Sequence, residues 1–303
     1  MATIPQLTIP MFLGTILNWG LFGALFVQVY IYFLAFPTDR AINRILVVVV
    51  FVAEFVQTAT DTRNTIRVFG AGWGHADVLD DVGWAWFSVP VMGSIVACIG
   101  QTVFAWRIYI LGRKLYIPAL VTIIAAVQLV AGIWAGVQIC LVKKFSLVQS
   151  KDSIPISVWL AATSLCDLMI VLGTTFHLIR SRDSEYRRTN AIISRIIKVT
   201  VETGVLCALF AFVDLGLFLG YKDTNYHLSI CIWLSKAYSN SIVLLLNSRA
   251  RIEHRPLEDV GITHDLVFRS GIEPASIQIS HSFGDSESIH RIHVGKNKAA
   301  VTV

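Results

Sequence analysis

The chain has 303 residues, of which 55% are hydrophobic and only 15% charged, and its mean hydropathy is +0.65. Soluble domains carry about 25% charged residues, so the composition argues against a water-soluble protein and for a membrane class. The formal charge of +5 is small, and the basic residues fall between apolar runs rather than along one face, which argues against nucleic-acid binding.

Crossing a hydrocarbon core of roughly 30 Å takes about 20 apolar helical residues. Seven stretches meet that requirement. The first runs from Met11 to Phe36 and stops at Pro37. The second begins near Arg44 with the run Ile45–Val52, contains Glu54 and Gln57, and turns polar at Asp61, which makes it the weakest of the set. The third spans Trp84 to Leu111 and the fourth Tyr116 to Val142. The fifth follows Pro155 and reaches Ile179, the sixth covers Ile193 to Leu219, and the seventh runs from Tyr226 to Leu246. The expected fold is therefore an all-α seven-transmembrane-helix bundle over residues 11–247, with a short exterior N-terminus over 1–10. The polar, serine-bearing tail over 248–303 is expected to be disordered. Residues Met1–Pro10 lack the basic region of a signal peptide, so the first apolar run is read as a true span.

The connections fix an orientation. Arg40, Arg44, Arg107, Arg113, Lys114, Arg180, Arg182, Arg187, Arg188, Arg195, Lys198, Arg249, Arg251 and Arg255 flank one side, fourteen residues in all. Arg63, Arg67, Lys143, Lys144, Lys151 and Lys222 flank the other, six in all. The richer side is expected to be cytoplasmic, with the N-terminus outside and the C-terminus in the cytoplasm of a plasma membrane or endomembrane. The longest outer loop is expected over Asp61 to Gly83, carrying Asp77, Asp80 and Asp81.

Ionisable side chains inside spans cost about 2.5–3.5 kcal/mol each on insertion scales and by default face the bundle interior. Glu54, Asp167, Glu202 and Lys236 each lie roughly half-way along their stretches, so at 1.5 Å per residue they share a depth. In the seventh stretch Ser229, Lys236, Asn240 and Asn247 fall on one face. Glu54, Asp167, Glu202, Lys236 and Asn240 thus form the candidate ligand or ion cluster. It reads as an interhelical packing network or, as the rival, a pocket, ion path or proton relay. Asp214 points away from this group, near the outer end.

No HExxH, Walker loop or GxSxG elbow is present, so no catalytic activity and no metal site are expected. A mid-depth lysine in a seventh helix invites comparison with retinal proteins, but the third stretch offers Gln101 where those carry an acid, and no cofactor is expected. The cysteines Cys98, Cys140, Cys166, Cys207 and Cys231 show no CxxC spacing and read as small buried hydrophobes. His177 reads as an interface residue. Gly132–Gly136 and Gly216–Gly220 are GxxxG pairs, expected to serve close internal packing.

Several stretches resemble a large basidiomycete, and hence fungal, membrane family catalogued as a domain of unknown function. They are GTILNWGLFG from Gly14 to Gly23, VQVYIYF from Val27 to Phe33, and FPTDR from Phe36 to Arg40. Further on come Cys166 with Asp167, Glu202 to Gly204, Lys236 to Ser241 and Leu246 to Arg249. The resemblance implies seven spans and fungal origin over about residues 10 to 250, and it implies no activity. The expected function is a receptor-like or sensor protein whose midplane cluster binds a small ligand. Cytoplasmic partners are then expected at the 180–198 loop and the tail. The alternative is an ion-coupled transporter or proton relay.

Overall fold

The computed structural model describes residues 4–72, 78, 80–144, 153–181, 187–221 and 224–249. These form helices α1 (Ile4–Ala35), α2 (Ala41–Ile66), α3 (Gly93–Gly112), α4 (Tyr116–Val142), α5 (Ser153–Ser181), α6 (Arg187–Gly220) and α7 (Leu228–Asn247). Each contains a segment long and apolar enough to cross a membrane, and among the described residues there is no strand, only an isolated bridge between Asp81 and Lys144. The chain is an all-α protein with seven membrane-crossing helices. The tail, expected to be disordered, lies outside the described residues beyond Arg249.

Local chemistry sets the helix ends. Pro37 stops α1, and Pro118 and Pro155 sit in the first turns of α4 and α5, where a missing N–H costs no intrahelical bond. Arg113 and Lys143 close α3 and α4 in the left-handed region, at φ 49° and 63°, each donating its N–H back to the carbonyl four residues earlier. A π-helical segment, Phe87–Met92, leads into α3; Pro90 within it has no N–H to give, and the ladder widens around it.

The second span is longer than its polarity suggests. Its helix runs through Ile66 and continues as one π turn over Arg67–Ala71, so Asp61, Arg63 and Arg67 belong to a helix rather than to an outer loop. The reason is the arrangement of its faces. Val47, Val50, Glu54, Gln57, Asp61 and Asn64 recur at helical spacing and are all buried, while Ile45, Val49, Val52 and Phe55 are exposed. A helix that is apolar outside and polar inside suits lipid contact on one face and a protein interior on the other. The sixth helix likewise starts earlier than expected, at Arg187, so much of the 180–198 segment expected as a loop is helical; its side chains lie outside the described residues.

α7 is the axis of the bundle. Of its most apolar stretch 78% is buried, against 28% in each of the first two spans, and it packs on α1, α2, α3 and α6. α1 lies along it most closely, with Gly14 placed so that a Cβ would come within 2.9 Å of the Leu228 carbonyl. On the other side α3, α4, α5 and α6 pack in sequence. Large apolar side chains on the outer faces of these helices, such as Leu34, Trp106, Val130, Leu172 and Leu209, are exposed and face lipid.

Of the two GxxxG pairs, one is a packing site. A Cβ on Gly132 would fall 2.5 Å from that of Ser94, and one on Gly136 would fall 2.5 Å from Val91, so these glycines let α4 close on the start of α3. Gly216 and Gly220 meet nothing within 4 Å and do not serve internal packing as expected. Gly132→Leu is therefore expected to lower thermal stability in detergent by about 1–3 kcal/mol through overpacking, while Gly216→Leu leaves it within about 0.5 kcal/mol. Comparing the two melting curves checks this.

Candidate functional site

Glu54 on α2 and Lys236 on α7 meet in the interior. Lys236 Nζ donates to Glu54 Oε2 at 2.7 Å, and both side chains have zero exposure. One turn along α7, Ser239 Oγ donates to the other carboxylate oxygen at 2.6 Å. One residue before Lys236, Ser235 Oγ donates to Gln57 Oε1 at 2.9 Å. Both oxygens of Glu54 thus have a donor, which is the condition under which a charge pair tolerates a low-dielectric site. These contacts tie α2 to α7 over consecutive turns.

Buried polar atoms without a protein partner lie in both directions along the helices from this pair. Toward the end carrying the N-terminus they are both amide atoms of Asn18, Thr58 Oγ1, Asp61 Oδ2, Asn64 Oδ1 and Ser88 Oγ, and the other way Gln28 Oε1, Asn240 Oδ1 and Asn247 Oδ1. More than about 90% of buried polar groups in proteins are hydrogen-bonded to protein or ordered water, so the longer N-terminal run stands out. In the opposite direction Tyr32, Val47, Val50, Ile242 and Leu246 form a continuous buried apolar cluster. The longer run of unpartnered polar groups and the apolar cluster thus lie on opposite sides of Glu54.

Asn240 does not join the charge pair. Its Nδ2 donates to the α1 carbonyl of Leu21 at 3.1 Å and to Lys236 O at 2.7 Å, and Asn247, seven residues on, repeats the first bond to Gln28 O at 2.8 Å. The two amides fasten α7 to α1. Asp167 belongs to a separate network. α5 packs on α3, α4 and α6, and the Asp167 carboxylate accepts from Gln101 Nε2 at 3.1 Å and from the Tyr238 hydroxyl. Tyr238 and Lys236 are two residues, about 200°, apart on α7, so the two networks occupy opposite sides of it. Glu202 is not brought into the interior at all. Thr200, Gly204, Cys207, Ala211 and Asp214 form the buried stripe of α6, and Glu202, two positions off that stripe, is exposed. Asp214 is buried and accepts from Cys231 Sγ at 2.8 Å.

The expected meeting of three acids with one lysine is thus replaced by one acid–lysine pair and one remote acid. Asp61, Gln57, Ser235, Ser239 and Tyr238 were not singled out by sequence reasoning for the interior. The signal was present in the three-and-four spacing of Val47, Val50, Glu54, Gln57, Asp61 and Asn64. Among the described residues no group of three or more His, Cys, Asp or Glu side chains could hold a metal ion. The five cysteines are free, three of them buried and two half-buried. The side chains of His177, Arg195 and Lys198 and residue Asp77 lie outside the described residues.

At the Asn247 end of α7 a second ion pair fixes the helix. Arg249 donates to Asp39 Oδ2 at 2.6 Å while its guanidinium lies 4.8 Å from the centre of the Phe36 ring. Tyr32 Oη at 2.8 Å, Asn43 Nδ2 at 3.1 Å and the Arg40 N–H at 2.8 Å also donate to this carboxylate. Burial pushes the Asp39 carboxyl up, but the bonds from Arg249, Tyr32, Arg40 and Asn43 outweigh it and hold its pKa well below the usual carboxylate range.

Residues 163–251 match the model of a family of unknown function (DUF6534). The matching segment contains Asp167, Glu202, Lys236, Tyr238, Asn240 and Arg249, and leaves Glu54, Asp61 and Asp39 outside it. No curated protein and no solved structure matches the chain.

The depressed pKa of Asp39 gives a signed expectation. Its stabilising contribution is complete above the unfolded value of about 3.9 and is lost as pH falls through the lower folded value. Asp39→Asn should cost about 1.5–3 kcal/mol at neutral pH, for the loss of charge-assisted hydrogen bonds. The gap to the parent should hold constant from about pH 8 to pH 5 and shrink only below about pH 4. Melting temperatures across that range check it.

Proposed function

We propose that this membrane protein is a receptor-like sensor in which the Glu54–Lys236 pair is the responsive element. The observation that carries the reading is an asymmetry about the pair, read as a hydrated seam entered from one end: the longer run of unpartnered polar groups lies toward the N-terminal end, and the Tyr32–Val47–Val50–Ile242–Leu246 cluster lies on the other side. A sensor needs access from one side and a rigid link to the other. α7 supplies that link, because it carries Lys236 at mid-depth and Arg249 at the far end, where Asp39 holds it. A polar or charged ligand that competes for Glu54 or Lys236 would loosen α7 from α2 and shift the Arg249 end.

In this reading the basic bias of the connections puts the N-terminal end outside and the Arg249 end in the cytoplasm. Partners would then be found at the 180–198 segment and the tail, and the protein acts by binding without catalysis. The resemblance to the basidiomycete family belongs to the same reading, as a source for the chain. A second reading, a proton relay or ion-coupled transporter, is favoured by the buried row Glu54, Gln57, Asp61 and Asn64 on α2. It requires the apolar cluster to open, since a carrier must present its site to both faces.

Thiol accessibility separates the two. In vesicles of defined sidedness, made with the native cysteines replaced, Asn64→Cys is expected to react with a membrane-impermeant reagent from the N-terminal side. Val50→Cys is expected to stay unmodified from both sides. Labelling of Val50→Cys from the opposite face would favour the carrier, and an unreactive Asn64→Cys would remove the hydrated seam on which both readings rest.

A further inference from the structure

A small cavity lies near the N-terminal end of the bundle, about 10 Å³ in volume, lined by Met11, Thr15, Asp61, Asn64, Thr65, Ala85, Val89, Leu228 and Ile232. That is room for a single water or a bare small ion and for no organic ligand. Four elements meet here: the start of α1, the end of α2, the segment before α3 and the start of α7.

The polar side chains around it, Thr15, Asp61, Asn64 and Thr65, all carry oxygen atoms. Thr65 Oγ1 donates to the Asp61 carbonyl at 2.8 Å, and Thr15 Oγ1 has the Met11 carbonyl at 2.9 Å. The two Oγ1 atoms lie 3.1 Å apart, where either can donate to the other, and each keeps lone-pair capacity to offer. Asp61 Oδ2 and Asn64 Oδ1, on side chains each 6% exposed, have no hydrogen-bond partner. Ser88 lies close to the Asp61 carboxyl without reaching hydrogen-bond geometry. Among the described residues no ion pair includes Asp61: Lys236 is engaged by Glu54, Arg67 by Asp81, and Arg63 lies over the Trp84 ring.

We infer that this cavity is a binding site for a small monovalent cation, Na⁺ in the first instance, held by Asp61, Asn64, Thr15 and Thr65. Hard cations take carboxylate, amide and hydroxyl oxygens, and affinity for divalent ions rises with the number of charged ligands. One carboxylate among neutral oxygens supplies a single negative charge, which matches a monovalent ion and leaves a divalent one underneutralised. The cation in turn supplies the countercharge that a buried Asp61 otherwise lacks. Beside Asn64, a Cβ on Gly83, at φ +55°, would fall 2.3 Å from Asn64 Oδ1 and 2.5 Å from Arg67 Nη1, so no side chain fits there. The site stands whether the bundle senses or transports, because it depends on this cavity and not on the Glu54–Lys236 pair.

The test is thermal unfolding of the purified full-length chain at constant ionic strength in NaCl or choline chloride, choline being too large for the cavity. Sodium is expected to raise the melting temperature saturably, by roughly 3–5 °C once it is about tenfold above its dissociation constant. Asp61→Asn is expected to abolish that rise. Equal melting in both salts, the outcome for a cavity holding water alone, would overturn the proposal, as would a sodium-dependent rise that survives in Asp61→Asn. Should that variant fail to fold, saturable binding of radiolabelled Na⁺ by the parent decides: a displaceable site near one per chain supports the inference, and its absence overturns it.

Discussion

The Glu54–Lys236 ion pair sets the terms for the rest of the bundle. Two opposite charges near the middle of a bilayer, each fully buried, are tolerable only in contact with each other and with every remaining lone pair satisfied. That requirement brings α2 against α7 at one depth and one rotation, and Ser239 and Ser235 complete the contact on the α7 side. Removing one partner would leave an uncompensated charge, a penalty of about 3–5 kcal/mol in such settings, comparable with the whole stability of many proteins. The pair is therefore a constraint on register more than a source of net stability.

With that register set, the polar residues of α2 and α7 fall into place by helical arithmetic. The residues one, two and three turns toward the N-terminal end, Gln57, Asp61 and Asn64, are carried inward on the same stripe as Glu54, and Val47 and Val50 continue it the other way as apolar residues. On α7 the same rotation directs Asn240 and Asn247 to α1 carbonyls and sends Tyr238 to the far side, where it donates to Asp167, which also accepts from Gln101. One helix thus serves two polar networks, back to back. Its end is tied down by Arg249 on Asp39, so any displacement at Lys236 has a fixed lever to act on.

Much of this was legible in the sequence, and the failures have physical causes. Seven spans follow from length and apolar composition because the bilayer imposes both. The second span looked weakest since a linear hydropathy reading averages over a helix whose polar face is inside; the three-and-four spacing of Glu54, Gln57, Asp61 and Asn64 carried the information that the average lost. Lys236 and Glu54 were recognisable as interior residues because an ionised group in a span has few alternatives. Depth alone placed Glu202 with them, whereas rotation about α6 puts it two positions off the buried stripe and exposed. Asp167 has the right depth and burial, but which neighbour it meets depends on the packing order of α3, α5 and α7, and nothing in the chain's local pattern encodes that order.

The coupling of Glu54 to Lys236 is the claim on which the register, the seam and the sensing mechanism all depend. A charge-exchange cycle measures it most directly: unfolding free energies of the parent, Glu54→Lys, Lys236→Glu and the double exchange. The single exchanges place like charges together and are expected to be strongly destabilised, while the double exchange recovers most of the loss, giving a coupling of several kcal/mol. Additive effects, with the double variant as damaged as the sum of the two singles, would contradict the pairing and the account built on it.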